Sequence, residues 1–135
     1  YGDSLTIKWN EYPEAFWCTS FTTGDACTAV VRPIFEKYFG WKYNGVALGI
    51  AGDSSLHLLH RLENGEIGDM KPKVVVLLIG TNDLTWYWER KEIEGDKDTV
   101  EGIADALLRS IQNVIIEIKR ASCDTFVLLQ GILPR

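Results

Sequence analysis

The sequence predicts an α/β fold in which helices cover both faces of a parallel sheet. Apolar segments of strand length alternate with segments of helical periodicity, and small polar residues follow the strands. A chain that runs strand, helix, strand, helix, strand pairs its strands in parallel through right-handed crossovers. We therefore expect residues 1–135 to form part of a single three-layer α/β/α domain.

Three segments are predicted as strands. Residues 43–49 form a short one, and residues 125–129 form another before Gly131 and Pro134. The clearest is the segment from Lys73 to Gly80, which is apolar and rich in β-branched side chains between its ends. An uninterrupted apolar run of this length is typical of a strand that is buried on both faces.

A first amphipathic helix is predicted over residues 54–62. Its apolar face consists of three leucines, Leu58, Leu59 and Leu62. Asp53 or Ser54 is a suitable N-cap, because a short polar side chain there accepts a hydrogen bond from the first helical turn. Residues 26–39 are compatible with another helix, interrupted or restarted at Pro33.

The strongest periodic signal lies between residues 100 and 118, where apolar side chains recur at intervals of three and four. This pattern predicts a long amphipathic helix. Asp98 followed by Glu101 fits the Asp variant of a capping box at its start. Lys119 and Arg120 place positive charge at its carboxyl end, where the helix dipole favours it.

Composition narrows the functional classes. The chain of 135 residues is 46% hydrophobic and 24% charged, as in an ordinary globular domain. Its net charge of -5 argues against a nucleic-acid partner, because phosphate binding needs clustered Lys and Arg. The longest apolar run, Val74 to Ile79, is far shorter than the roughly 20 residues of a transmembrane helix, so no membrane-spanning segment is expected.

The cysteines leave the cellular compartment undetermined. Cys18, Cys27 and Cys123 show no CxxC spacing, and an odd number does not form a disulfide framework. Cys18 and Cys27 lie close enough to bridge in a secreted protein, although unpaired buried thiols are the favoured state.

Small polar loops carry the candidate chemistry. They comprise Gly2-Asp3-Ser4-Leu5, residues 49–53, and Gly80-Thr81-Asn82-Asp83. Loops at the carboxyl ends of parallel strands converge at one edge of a sheet, so these residues are expected to share a site. Ser4 offers a nucleophilic hydroxyl, while the Gly52 N–H and the Asn82 amide are donors suited to an oxyanion. The set predicts acyl transfer.

A purely structural interpretation exists for each of these residues. Ser4 could cap a helix, Gly52 could permit a turn, and Asn82 could form an Asx-turn. The tripeptide Gly-Asp-Ser also recurs at 52–54, which makes Ser54 a rival nucleophile. An N-cap role explains Ser54 more simply. The order and spacing of the loops favour the catalytic interpretation of the set.

The same residues resemble the SGNH hydrolases of the GDSL esterase/lipase family. Gly2-Asp3-Ser4-Leu5 matches the family's block I, Gly52 its block II glycine, and Gly80-Thr81-Asn82-Asp83 its block III. Within the family, residues 49–66 and 131–135 are most similar to the catalytic subunits of platelet-activating-factor acetylhydrolase. The segment between Ser4 and Gly52 is longer than in those subunits, with Trp9, Trp17 and the region from Cys18 to Cys27 as the expected insertion.

The resemblance implies a three-layer, flavodoxin-like parallel sheet whose first strand ends near Tyr1. It implies that Ser4 is the nucleophile and that the N–H groups of Ser4 and Gly52 and the Asn82 amide form the oxyanion hole. The family's Asp-x-x-His motif is expected beyond Arg135, so the chain is interpreted as a piece truncated at both ends and inactive alone. The implied substrate is a small-molecule ester, with no metal or organic cofactor, and subunits could form a homo-oligomer.

Other residues are open to alternative interpretations. His57 and His60 are spaced i, i+3, but no third ligand completes a metal site, and neither is expected to be the catalytic base. The run Trp86-Tyr87-Trp88 could line a substrate cleft or belong to a loop packed over the sheet edge. The rival to the enzyme is a non-catalytic binding or interaction module of the same fold.

Overall fold

A computed structural model describes residues 1–7, 9, 32–94 and 99–132 and shows an α/β arrangement, as predicted. The elements follow in this order: α1 (Ser4–Ile7), a helical turn at 32–35 that continues into a π-helical turn (Glu36–Gly40), α2 (Trp41–Tyr43), α3 (Ser55–Glu63), β1 (Val74–Leu77), α4 (Thr81–Glu94), α5 (Val100–Ala121) and β2 (Phe126–Leu129). The predictions for Trp17, Cys18, Cys27 and Pro134 lie outside the described residues. Cys123 is an exposed free thiol.

The strands pair in parallel. β1 and β2 run side by side in a register that places Val75 opposite Val127. On the other side of β1, the Leu78 N–H donates to the Tyr1 carbonyl at 3.0 Å. Gly2 forms parallel bridges to both Leu78 and Gly49. Residues 1–2 are therefore hydrogen-bonded on both sides, which is the position predicted for the end of the first strand.

The parallel segments lie in the spatial order 48–50, 1–2, β1, β2. Numbered along the chain, this order is 2-1-3-4, which is how a flavodoxin-like sheet begins. The order reverses between residues 1–2 and β1. In open α/β sheets, ligands bind beyond the carboxyl ends of the strands at such a switch point.

The strand predicted over residues 43–49 is wrong in its bounds, because only residues 48–50 pair with the sheet. Tyr43 ends helix α2, and Asn44 adopts a left-handed conformation with φ 51°. The Gly45 N–H then donates to the Phe39 carbonyl at 3.0 Å, which closes the helical turn. Asn and Gly both tolerate the left-handed region, so this pair terminates a helix. The extended pairing that remains of the predicted strand is the bridge at Gly49.

The core lies on one face of the sheet, between β1 and the helices α3 and α5. Its buried members are Leu58, Leu62, Ile67, Val75, Leu77, Ile79, Leu107, Ile111, Val114 and Ile118. On the opposite face, Val74, Val76, Phe126 and Leu128 are about half exposed. Within the described ranges, helices therefore cover one face, and the second helical layer stays a prediction.

Among the described residues, no helix has both the length and the apolar composition of a membrane span.

The N-cap predicted for α3 is confirmed, and the N-cap predicted for α5 is corrected. Ser54 is the N-cap of α3, as predicted: its Oγ accepts from the His57 N–H at 3.4 Å. The N-cap of α5 is Thr99, not Asp98, because Thr99 Oγ1 accepts from the Gly102 N–H at 3.1 Å. Both side chains suit an N-cap, and the helix starts one residue later than the sequence pattern indicated.

The carboxyl end of α5 carries the predicted positive charge. Lys119 Nζ donates to the carbonyls of Cys123 at 2.6 Å and Thr125 at 2.9 Å, which fixes the turn into β2. Thr125 is fully buried and donates through Oγ1 to the Pro72 carbonyl at 2.6 Å. These contacts tie together the amino ends of β1 and β2.

Candidate functional site

The first loop follows residues 1–2 at the switch point of the sheet. Ser4 is the first residue of α1, two positions after the bridged Gly2. Asp3 is buried, and its Oδ1 accepts from the Leu5 N–H at 2.9 Å. This contact sets the path of the backbone around Ser4, so Ser4 lies where a strand gives way to a helix.

The second loop passes beside the first. The Ile50 N–H donates to the Gly2 carbonyl at 3.3 Å, and the Asp53 N–H donates to the Ile50 carbonyl at 3.2 Å. Gly52, inside this turn, has φ 82°, a conformation that favours glycine. Gly52 is exposed, and in the described part of the chain its N–H has no acceptor.

The third loop reaches the second through Asn82. Gly80 has φ 117°, and Asn82 lies in the first turn of α4, which begins at Thr81. The Asn82 Nδ2 donates to the Asp53 carbonyl at 2.8 Å, a contact between residues 29 positions apart. Asn82 therefore uses its amide to join two loops rather than to form a local Asx-turn.

A second contact joins the same two loops. The Asp83 carboxylate accepts from the Ser55 N–H, at 3.1 Å through Oδ1 and 2.9 Å through Oδ2. The Ser55 hydroxyl also donates to Asp83 Oδ1. Ser55 is fully buried and Asp83 almost so. The starts of α3 and α4 are thus held together by an inward-facing carboxylate.

A network of charges lies next to the second loop. Arg61 Nη2 is 2.7 Å from Asp53 Oδ2, and Arg61 Nη1 also contacts Glu66 Oε1. The three side chains are largely buried. Burial raises the pKa of the Tyr1 phenol to about 12. The Glu66 carboxylate raises this pKa by a smaller amount, and the Arg61 guanidinium lowers it.

Comparison with known proteins identifies the family. The model of the GDSL-like lipase/acylhydrolase family matches residues 1–135. The chain belongs to this family. The match covers all three loops, so the GDSL-like resemblance seen in the short motifs is confirmed over the whole chain.

The relatives include proteins named as subunits of an acetylhydrolase. Platelet-activating factor acetylhydrolase IB subunit alpha2 of Rattus norvegicus is 30% identical over 107 residues, which cover 76% of this chain and 40% of the relative. The Homo sapiens alpha2 subunit matches with the same values. Subunit alpha1 of Rattus norvegicus is 57% identical over 35 residues, 26% of this chain and 15% of the relative. The GDSL-like chain thus spans about 40% of the length of the alpha2 relatives.

His57 lies four residues beyond Asp53, which ends the second loop. It occupies the first turn of α3, and its Nδ1 accepts from the Ser54 N–H at 3.2 Å. That hydrogen bond completes the cap of α3 and uses the Nδ1 lone pair. His60 instead lies beside Asn64 at the other end of the helix. The described residues contain no group of three or more His, Cys, Asp and Glu that could hold a metal ion.

The aromatic run after Asn82 is helical, so its interpretation as a loop is wrong. Trp86 lies on α4 and meets the His57 ring edge-on, with ring centroids 5.2 Å apart. About half of the Trp86 surface is exposed. The helix presents this indole beside the second loop of the GDSL-like site. Its role as a cleft wall stays a prediction.

Sequence reasoning missed the contacts that hold the loops in place. The sequence patterns assign Asp53 only a capping role and assign no role to Arg61, Glu66, Ser55 or Asp83. A signal is present in the sequence: Arg61 lies one turn beyond His57 and directly before Leu62, a member of the apolar face of the helix. An arginine at the edge of an apolar face needs a carboxylate partner when it is buried.

Proposed function

We propose that the full-length protein is a serine ester hydrolase of the SGNH type with Ser4 as its nucleophile. The Ser4 oxygen bonds to the carbonyl carbon of a small-molecule ester, and its proton passes to the histidine of the family's Asp-x-x-His motif. The carbon–oxygen bond to the alcohol then breaks, and the alcohol leaves with that proton. Water hydrolyses the acyl-enzyme by the same steps in reverse order.

The observation that carries this proposal is the hydrogen bond from Asn82 Nδ2 to the Asp53 carbonyl at 2.8 Å. It brings the Asn82 amide next to the residue that follows Gly52. A primary amide has two N–H donors, and this bond uses one of them. The second amide N–H and the Gly52 N–H are the donors that we assign to the oxyanion, together with the Ser4 N–H.

Two further observations support the proposal. The first loop follows the strand at the switch point, where open α/β sheets bind ligands. The 2-1-3-4 order of the parallel segments is that of a flavodoxin-like sheet, which supports the complete three-layer fold as the scaffold. The names of the alpha1 and alpha2 relatives make an acetyl ester a suitable first substrate to test.

The proposal is tested by labelling the full-length protein with a fluorophosphonate, which reacts with activated serines. We expect one modified peptide, located by mass spectrometry, and the added mass on Ser4. Hydrolysis of 4-nitrophenyl acetate should stop as labelling is completed. A protein that neither reacts nor hydrolyses the ester would instead be the non-catalytic binding module, and a label on Ser54 would refute the assignment of the nucleophile.

Replacing Asn82 by alanine should lower kcat by about 10²- to 10³-fold, because one oxyanion donor is lost. The KM for 4-nitrophenyl acetate should change much less, since the donor acts mainly on the charge that forms in the transition state. Steady-state kinetics of the full-length protein measures both constants.

Asn113→Ala is the matched control, because Asn113 is an exposed asparagine of α5 and belongs to none of the three loops. Its kcat should equal that of the wild type. Equal kcat values for Asn82→Ala and Asn113→Ala would show that Asn82 does not contribute to the oxyanion hole.

A further inference from the structure

We propose that Asp83 and Ser55 form a positioning pair that holds the Asn82 amide against the Gly52–Asp53 turn. This inference rests on the proposed function, because it assigns the pair a purpose in aligning the oxyanion donors. Neither residue touches the reacting atoms in this mechanism. Both act through Asn82 and the backbone of the second loop.

The contact between Asp83 and Ser55 is the second of two hydrogen-bonded contacts between residues 53–55 and residues 82–83. Asn82 donates to the carbonyl of Asp53, and Asp83 accepts from the backbone and hydroxyl of Ser55. A single hydrogen bond leaves two segments free to rotate about it. Two hydrogen-bonded points on each segment fix their relative orientation, and with it the direction of the second Asn82 N–H.

Burial makes the hydrogen bonds between Asp83 and Ser55 more persistent than the hydrogen bond between Asn82 and Asp53. Ser55 is 0% exposed and Asp83 is 8% exposed, whereas Asn82 is only partly buried. Water therefore competes little for the carboxylate, and a buried charged acceptor without its donors would be costly. Asn82 is the less buried of these residues, and its amide must remain accessible to a substrate.

The position of Ser55 in its helix explains why a carboxylate is suitable at position 83. Ser55 is the first residue of α3, and N–H groups in the first turn of a helix have no acceptor within the helix. Asp83 supplies an acceptor from the neighbouring helix, at the end where the helix dipole favours negative charge. The distances of 3.1 and 2.9 Å show that both carboxylate oxygens are within reach of the same N–H.

The test compares Asp83→Asn and Ser55→Ala with Thr125→Val in the full-length protein. Asparagine keeps the shape of Asp83 but replaces one acceptor oxygen by an NH2 group that faces the Ser55 donors. Thr125 is the matched control: it is also 0% exposed and its hydroxyl also donates a hydrogen bond, but at the amino ends of β1 and β2. All three variants should lose stability in urea unfolding.

Only the two variants of the pair should affect the site. For Asp83→Asn we expect a fall in kcat of about 10- to 100-fold, the scale of a small misplacement of a catalytic group, with KM within about twofold of the wild type. Ser55→Ala keeps the backbone donor and should fall by less. In NMR spectra, the Asn82 side-chain amide should shift and exchange faster with water in both variants, and in Thr125→Val it should match the wild type.

The outcomes separate this inference from the proposed function. If Asp83→Asn changes stability as Thr125→Val does, but leaves both kcat and the Asn82 amide resonance unchanged, the positioning role is wrong. If the wild-type protein hydrolyses no ester, the proposed function fails and so does the catalytic purpose of the pair. The NMR comparison would still show whether Asp83 holds Asn82 in place.

Discussion

Replacing Ser4 by alanine in the full-length protein should lower the kcat for 4-nitrophenyl acetate by about 10⁴- to 10⁶-fold. The substitution removes the only atom that forms a covalent bond to the substrate in the proposed mechanism. Some rate above that of water should remain, because the Gly52 and Asn82 donors still stabilise an oxyanion, and a triad-deleted serine hydrolase keeps about 10³-fold acceleration. Initial rates at high enzyme concentration measure the loss.

Ser54→Ala is the control for the repeated Gly-Asp-Ser tripeptide. The Ser54 Oγ caps α3, so its loss should reduce the free energy of unfolding by about 1 kcal/mol. Its kcat should stay within about one order of magnitude of the wild type. A large loss of kcat in Ser54→Ala together with an active Ser4→Ala would reverse the assignment of the two serines.

Replacing Arg61 by methionine should lower the free energy of unfolding by about 3 to 5 kcal/mol. Methionine retains the apolar stem but leaves the Asp53 and Glu66 carboxylates close together without a cation. The Arg61 and Asp53 side chains are only 16% and 9% exposed, so water can replace little of the lost interaction. Urea denaturation of the full-length protein measures the change through its midpoint and slope.

Arg120→Met is the matched control for this prediction. Arg120 pairs with Glu117 at 3.0 Å, but 74% of its side chain is exposed. Surface ion pairs contribute about 0 to 1 kcal/mol, so this variant should unfold near the wild-type midpoint. If Arg61→Met and Arg120→Met have equal midpoints, the buried network does not stabilise the Gly52 loop.

Periodicity predicted the parts of the fold where one physical effect dominates. Burial accounts for the spaced apolar residues of α5 and for Val75 and Leu77 of β1, and both elements lie near the predicted positions. The strand predicted over residues 43–49 has the wrong bounds because its first residues end a helix. Asn44 and Gly45 favour a helix end more strongly than the neighbouring apolar residues favour a strand.

The candidate site was predictable to the level of its loops but not of its contacts. The rule that strand ends converge brought Asn82 to the second loop, where its amide meets Asp53. The pairing of Ser55 with Asp83 could not be read from the sequence, because many carboxylates and hydroxyls could form such a contact. The choice among them depends on how α3 and α4 are oriented, which is set by packing far from either residue.

The two-sided hydrogen bonding of residues 1–2 has a consequence for the order of folding. The bridge between Gly2 and Leu78 joins residues that lie farther apart in the sequence than those of the β1–β2 pairing or of the bridge between Gly2 and Gly49. It therefore closes the longest loop of these pairings and has the largest loop-closure entropy cost. We expect residues 1–2 to enter the sheet last, so that the loop with the proposed nucleophile reaches its final position only after the neighbouring segments have formed.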